Sequence, residues 1–300
     1  MHGATARQVL YGGAAGGGKS HSLRWDAITF CLQNPGCDAY LFRRTRGELM
    51  DNHIRKIKME IPEELGTYNS KEDRFVFKNG SGINFCYCER EDDVRRYQGA
   101  EMHWLGIDEA SHLSEFQITY LRGRVRLGSW SPAQDNDRLP RIVLASNPGG
   151  PGHQFLKDTF IVPSEPMTYF YDASMADDKI EGDRGWKSIF IPARMTDNKF
   201  IESGYAGQFK SLPPEMARAL TEGDWDAVVG AALHNLSRDR HEIRDFVVPA
   251  HWTKFMVIDW GTAHPFSVGW YAVSEGVHLA AKGRWEETYL PEGALIRYRS

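Results

Sequence analysis

Cysteine is scarce in this chain: Cys31, Cys37, Cys86 and Cys88 are all that occur in 300 residues. Their C-x5-C and C-x-C spacings do not suit a tetrahedral zinc site. Cys86 and Cys88 alternate with Phe85 and Tyr87 and read as reduced thiols packed on one face of a strand. No apolar run approaches the roughly 18 residues that suggest a membrane span, and residues 1–7 lack the apolar core of a signal peptide. The expectation is a cytoplasmic protein with no membrane segment. Neither sign of charge dominates, since the formal net charge is −4, so any hold on nucleic acid has to come from local basic patches. Two patches qualify: Arg43-Arg44-Thr45-Arg46 with Arg55, Lys56 and Lys58, and Arg122-Gly123-Arg124-Val125-Arg126. By itself each reads more readily as a solvated face than as a DNA contact. A hydrophobic share of 41% and a charged share of 25% fit one large domain, or one domain and part of another.

The order of elements favours a mostly parallel sheet. Val9-Leu10-Tyr11 reads as a strand and leads into a glycine-rich loop. Helical spacing follows over 20–33 and stops at Asn34-Pro35-Gly36. Ala39-Tyr40-Leu41-Phe42 then reads as a buried strand, and β-loop-α-β order argues for helices on both faces of a sheet. Residues 74–88 read as a β-hairpin around Asn79-Gly80-Ser81-Gly82. Trp104–Ile107 and Ile142–Ala145 are further buried strands that end in polar residues, where α/β sheets carry their chemistry. Residues 160–225 are mixed and contain no repeat. Pro213-Pro214 opens a short helix, and Phe255–Asp259 reads as a strand that begins a second unit.

Gly13-Ala14-Ala15-Gly16-Gly17-Gly18-Lys19-Ser20 matches G-x4-G-K-[ST] at every fixed position. Glycines at 13, 16, 17 and 18 let backbone N–H groups approach phosphate oxygens. Lys19 supplies positive charge to the β- and γ-phosphates of ATP, Ser20 offers a hydroxyl to Mg²⁺, and the helix that follows aims its positive end at the anion. Asp108-Glu109 closes the apolar run His103–Ile107. In P-loop ATPases such an Asp holds Mg²⁺ and such a Glu polarises the attacking water. Ser146-Asn147-Pro148-Gly149-Gly150 ends another strand, and Asn147 there is placed to sense the γ-phosphate.

In order and spacing these motifs resemble the phage terminase large-subunit family. Gln8 with the glycine loop is similar to that family's adenine motif and Walker A. Tyr97–Glu101 with Trp104–Ala110 is similar to its Walker B segment, and Ser146–His153 to its coupling motif. Ile191-Pro192-Ala193 with Asp197-Asn198, and Leu220–Asp226, resemble stretches near the end of its ATPase region. The resemblance covers nearly the whole chain. It implies a P-loop ATPase over 1–226, a linker over 227–250 and the first strands of an incomplete RNase H-like nuclease over 251–300. It also implies a motor that drives double-stranded DNA into a procapsid, working as a homo-oligomeric ring on a portal protein, with a small terminase subunit as partner, in the host-cell cytoplasm. Asp259, in Val257–Thr262, would be the first metal-binding carboxylate of the nuclease; a capping Asp before Gly261 is the other reading.

The chain departs from the family in two ways. Residues 251–300 are too few to close an RNase H-like core, so the expectation is a partial chain that does not cut DNA. The basic residue that some members carry inside the loop is replaced by Ala14, Ala15, Gly16 and Gly17. Positive charge for the γ-phosphate is then expected from Arg95 and Arg96, or secondly from Arg43 and Arg44. Two other readings stay open: a helicase-like DNA-dependent ATPase, and a remnant that binds DNA or a partner without turnover.

Overall fold

The apolar run ahead of the glycine loop becomes β1 (Gln8–Gly13), and the helical spacing after it becomes α1 (Lys19–Gln33), which ends at Asn34. The computed structural model describes residues 1–132, 138–202, 204–227, 241, 243–260, 267–280 and 287–299. It divides into two compact units, 1–234 and 235–300. After β2 (Asp38–Arg43) comes a helix in three stretches: α2 (Arg46–Leu49), a π turn (Met50–Ile54) and α3 (Arg55–Glu60). Then follow β3 (Gly66–Asn69), β4 (Arg74–Phe77), β5 (Gly82–Tyr87), a 3₁₀ turn (Glu91–Tyr97), β6 (Trp104–Asp108) and α4 (Glu115–Arg122). The first unit continues through β7 (Arg141–Ser146), α5 (His153–Leu156), β8 (Tyr169–Asp172), β9 (Trp186–Ala193) and α6 (Pro214–Thr221).

Its nine strands form one sheet in the order β3-β4-β5-β2-β6-β7-β1-β9-β8. The central strands from β5 to β9 run parallel, and the antiparallel pairs are confined to the edges. The sheet is therefore the α/β architecture expected, and the hairpin read over 74–88 is the β4–β5 pair. Alternate residues of each central strand face opposite ways. Val9, Val143, Ala145 and Ile189 join a core with Leu23, Ala27 and Ile28 of α1. Leu10, Ile142, Leu144 and Phe190 join another with Ile118 and Leu121 of α4. Two apolar layers thus clamp the sheet, and the C-terminal ends of β1, β6 and β7 come out on one edge.

β9 has no strand signal in the sequence, where 160–225 reads as mixed. It pairs in register with β1, Gln8 against Ser188 through Gly13 against Ala193. Pro192 is tolerated because it stands at the strand's end, next to the glycine loop. Cys86 and Cys88 are buried in the second core as expected, and burial pushes both thiols up to about 12.

The second unit has β10 (Lys254–Asp259), β11 (Ser267–Leu279) and β12 (Thr288–Arg299) in an antiparallel sheet. Ile243, Phe246 and Val248, within the span expected as linker, pack with Trp252 against this sheet's core. Gly261 and Thr262 lie outside the described residues. Among the described residues no helix is long and apolar enough to cross a membrane.

One buried ion pair fastens α1 to the sheet. Asp26 accepts from Trp104 Nε1 at 2.9 Å and from Arg141 Nε at 3.2 Å. Burial pushes the Asp26 carboxyl up, but the hydrogen bond from His2 and the charge and hydrogen bond of Arg141 outweigh it and hold it at about 2. A depressed carboxylate stabilises the fold above its ordinary value of 3.8, and that stability is lost as the pH falls towards 2. Asp26→Ala is expected to cost about 3–5 kcal/mol at neutral pH, because it strands buried Arg141, and to flatten the acid limb of the stability curve. Urea denaturation across pH checks both; an unchanged midpoint would contradict the assignment.

Candidate functional site

β1 and β6 are separated in the sheet by β7, and their C-terminal ends carry the two motifs that the sequence ranks first. The turn at 13–18 needs glycine for contact reasons as well as conformation. Gly13 has φ +139, and a Cβ there would lie 2.4 Å from Ala193 O; Gly16 has φ +74, and a Cβ would lie 2.3 Å from Ile201 Cδ1. Neighbouring backbone holds the start of the turn. Ala14 N–H donates to Ala193 O at 2.8 Å, Ala15 N–H donates to Leu220 O at 2.7 Å, and Asn198 Nδ2 donates to Gly16 O at 2.7 Å. These bonds come from the segments 191–198 and 220–226 that the sequence marks only by resemblance. The first N–H groups of α1 have no acceptor within their own helix and point out of its positive end.

Lys19 is buried and directs Nζ at the carbonyls of Gly13 and Ala14. Burial pushes its ammonium down from the ordinary range, and the charges of Glu109 and Asp108 partly offset this. Ser20 Oγ donates to Asp108 Oδ1 at 3.0 Å across 88 residues of sequence. Asp108 is 1% exposed; on its Oδ2, His53 Nε2 donates at 2.9 Å and the Arg43 guanidinium makes an ion-pair contact through Nε at 3.0 Å. Although burial pushes the Asp108 carboxyl up, His53, Arg43 and Ser20 hold it at about 2. It is therefore an anion at any working pH. Glu109 behaves in the opposite way. Burial and the neighbouring Asp108 charge raise its pKa, the direction that suits a proton acceptor near neutrality.

Glu109 also sits in the left-handed region, with φ 52 and ψ 49. A non-glycine residue there is strained, and such strain clusters at functional sites. Its Oε1 lies 3.6 Å from Arg43 Nη2. Its Oε2 and the Oδ1 of Asn147 are buried acceptors without a hydrogen-bond partner among the described residues. Beside them opens a cavity of about 340 Å³ lined by Arg43, Glu109, His112, Asn147, Gly149 and Leu220.

Ser20 and Asp108 are hard oxygen donors that suit Mg²⁺, an ion that keeps several waters and takes substrate phosphates beside one or two protein oxygens. Among the described residues no three His, Cys, Asp or Glu side chains gather as a metal cage. The turn after Glu109 is laced to the strand end at 146–152. Ser111 N–H donates to Ser146 Oγ at 3.0 Å, Ser111 Oγ donates to Asn147 O at 3.0 Å, and Gly152 N–H donates to Ser111 O at 2.9 Å.

Lys19, Ser20, Asp108, Glu109 and the Asn147 segment thus come together. Other expected residues do not. Gln8 is fully buried: its amide donates to Asp172 at 3.1 Å and Ser188 at 3.2 Å, and its carbonyl accepts from Arg122 at 2.8 Å. Its polar groups are engaged inside the fold by Asp172, Ser188 and Arg122. The same network removes Arg122 from the candidate DNA patch, since it is buried against Asp172. Arg95 pairs with Asp92 at 3.2 Å, and Arg96 donates to Tyr87 O at 3.0 Å; both belong to their own exposed turn and touch no site residue of this chain. The second-ranked Arg43 is the arginine at the acidic pair, while Arg44 is exposed. Asp259 is the last residue of β10. Nothing in the sequence marks His53, which looks like one more polar residue in a basic helix.

A family model described as the N-terminal part of the terminase large subunit, T4-like-virus type, matches residues 10–237. No curated protein sequence matches. Among solved structures, the large terminase of a thermophilic bacteriophage is similar at 15% identity and TM-score 0.55, covering 95% of this chain and 64% of that one. The same protein in complex with ADP is similar at 14% identity and TM-score 0.55, with the same coverage. Its complex with ATP-γ-S is similar at 15% identity and TM-score 0.53, covering 95% of this chain and 63% of that one. This chain thus spans less than two-thirds of the length of these relatives, and the likeness establishes the fold.

The contact between the loop and β9 sets a test of the turn. Gly13→Ala combines a disfavoured φ with a clash on Ala193 O and should cost on the order of 1–3 kcal/mol. Gly18 has φ +75 with nothing within 4 Å of a Cβ, so Gly18→Ala carries the conformational penalty alone and should cost less. Urea denaturation of both variants compares them; equal losses would mean that β9 does not brace the loop.

Proposed function

We propose that this protein is an ATP-hydrolysing subunit of a viral DNA-packaging motor: the chain belongs to the T4-like-virus-type terminase large-subunit family, in its N-terminal part. The observation that carries the chemistry is the 3.0 Å contact from Ser20 to Asp108, with Lys19 and Glu109 beside it. Bound Mg²⁺ would supply charge neutralisation for the β- and γ-phosphates. Ser20 and Asp108 would hold it, and Lys19, now directed at the carbonyls of 13 and 14, would supply its charge to the phosphates. Glu109, kept basic by burial, orients and deprotonates the attacking water. Arg43, bridging Asp108 and Glu109, holds the two acids together and brings positive charge to the same end of β6.

Transmission is proposed through Ser111. It touches both Ser146 and Asn147, so a change at Glu109 reaches the 146–152 turn through this one residue. His153 beyond that turn stacks on Trp225 at 5.2 Å, and Lys157 pairs with Asp226 at 2.5 Å, which carries the movement to the end of the first unit.

The proposed substrates are ATP and double-stranded DNA, gripped at phosphates rather than bases because a packaging motor has to ignore sequence. Arg44, Arg55, Lys56 and Lys58 are exposed on the β2–α3 segment and are the proposed grip. We also propose a homo-oligomeric ring on a portal protein, with a small terminase subunit as partner. In this ring Arg95 or Arg96, exposed on its own turn, reaches a neighbour's site. Asp259, at the end of β10, is proposed as the first metal ligand of an RNase H-like nuclease.

Lys19→Ala is expected to abolish phosphate release. Glu109→Gln is expected to retain ATP binding while slowing hydrolysis by roughly 10²–10⁴-fold. DNA should stimulate the wild type, less so as salt rises. A coupled phosphate-release assay with and without DNA reads all of these. Undiminished turnover in Lys19→Ala would overturn the site, and absence of wild-type turnover under every condition would favour a non-catalytic binding role.

A further inference from the structure

The helix from Arg46 to Glu60 is interrupted by a π turn at Met50–Ile54, where Arg55 N–H reaches back five residues to Met50 O. A π turn in an α-helix is uncommon and frequently sits at a functional site. Here it changes which residues face inwards. Leu49, Ile54 and Ile57 enter the core, and His53, one residue before Ile54, is fully buried but points elsewhere, to Asp108. Carbonyls around the widened turn are satisfied individually: Asn52 Nδ2 donates to Glu48 O at 2.9 Å, and Arg24 Nη1 donates to Asn52 O at 3.0 Å. Arg24 is itself fixed by Glu60 through Nε at 2.7 Å. Because Arg24 lies just after Ser20 on α1, the helix that begins at the phosphate loop also locks the turn that carries His53.

We propose that His53 is a positioning residue of the ATPase site, whose Nε2–H holds Oδ2 of Asp108 and so leaves Oδ1 to Ser20 and to Mg²⁺. The inference rests on the nucleotide-site reading above. The hydrogen bond has one direction, because a carboxylate can only accept, so the proton is on Nε2. Nδ1 is buried without a hydrogen-bond partner among the described residues, so the ring is held at this site through Nε2 and Asp108. The arrangement is that of an outer group which orients a metal ligand and whose loss weakens the metal.

The test uses the fluorescent nucleotide mant-ATP, titrated into the full chain with Mg²⁺ and again in EDTA, with thermal melting as a control on folding. His53→Ala is expected to weaken the Mg²⁺-dependent binding by roughly 10–100-fold, the usual loss when an outer-sphere partner of a metal ligand is removed, and to leave the EDTA affinity unchanged. His53→Gln, which keeps an N–H donor at similar reach, should recover most of the loss, and His53→Asn, too short, should not. If the alanine variant does not fold, the Gln and Asn pair decides. Equal losses with and without Mg²⁺, no loss at all, or Gln no better than Asn would overturn the proposal. Lys19→Ala separates the two readings. If wild type binds mant-ATP no better than Lys19→Ala, the nucleotide site itself fails. If Lys19→Ala loses binding while the His53 variants do not, only the role of His53 fails.

Discussion

A buried carboxylate that remains charged is the constraint on which the site depends. Asp108 is nearly inaccessible, and an uncompensated anion there would be costly. Three elements supply the compensation: Ser20 from the start of α1, Arg43 from the end of β2 and His53 from the π turn. Each partner fixes its own element relative to β6. The phosphate loop, the strand beside β6 and the basic helix are thereby referenced to one atom pair, and a change in what Asp108 holds is felt by all three.

Glu109 shows the complementary logic. Burial and the neighbouring Asp108 charge raise its pKa. Its strained left-handed backbone turns the chain sharply into the 3₁₀ turn that Ser111 then fastens to 146–152. A polar strand end, a strained residue and a tightly held glycine turn therefore form one connected surface next to the cavity.

Much of this is legible in the sequence, for physical reasons that can be named. The loop at 13–20 is legible because phosphate contact demands glycine and lysine at fixed spacing. The strands at 9–11, 39–42, 104–107 and 142–145 are legible because buried parallel strands need continuous apolar residues. β9 escapes such a reading: it combines Trp, Lys, Ser and Pro, and its parallel pairing with β1 is a tertiary fact without a local pattern. The surroundings of Gln8 are not legible either, since its sequence position next to the loop does not reveal that its amide is engaged by Arg122, Asp172 and Ser188. Arg43 ranks below Arg95 and Arg96 by sequence because nearness to Asp108 along the chain is a poor guide when β2 and β6 are neighbours in the sheet. His53 is legible only with the π turn in view, since a regular helix would not aim it at Asp108.

The most direct measurement is a crystal structure of the chain with ATP-γ-S and Mg²⁺. The account predicts the metal at Ser20 Oγ and Asp108, with the γ-phosphate between Lys19 and Glu109. A nucleotide seated away from the 13–20 turn, or a metal without Asp108 near it, would contradict it.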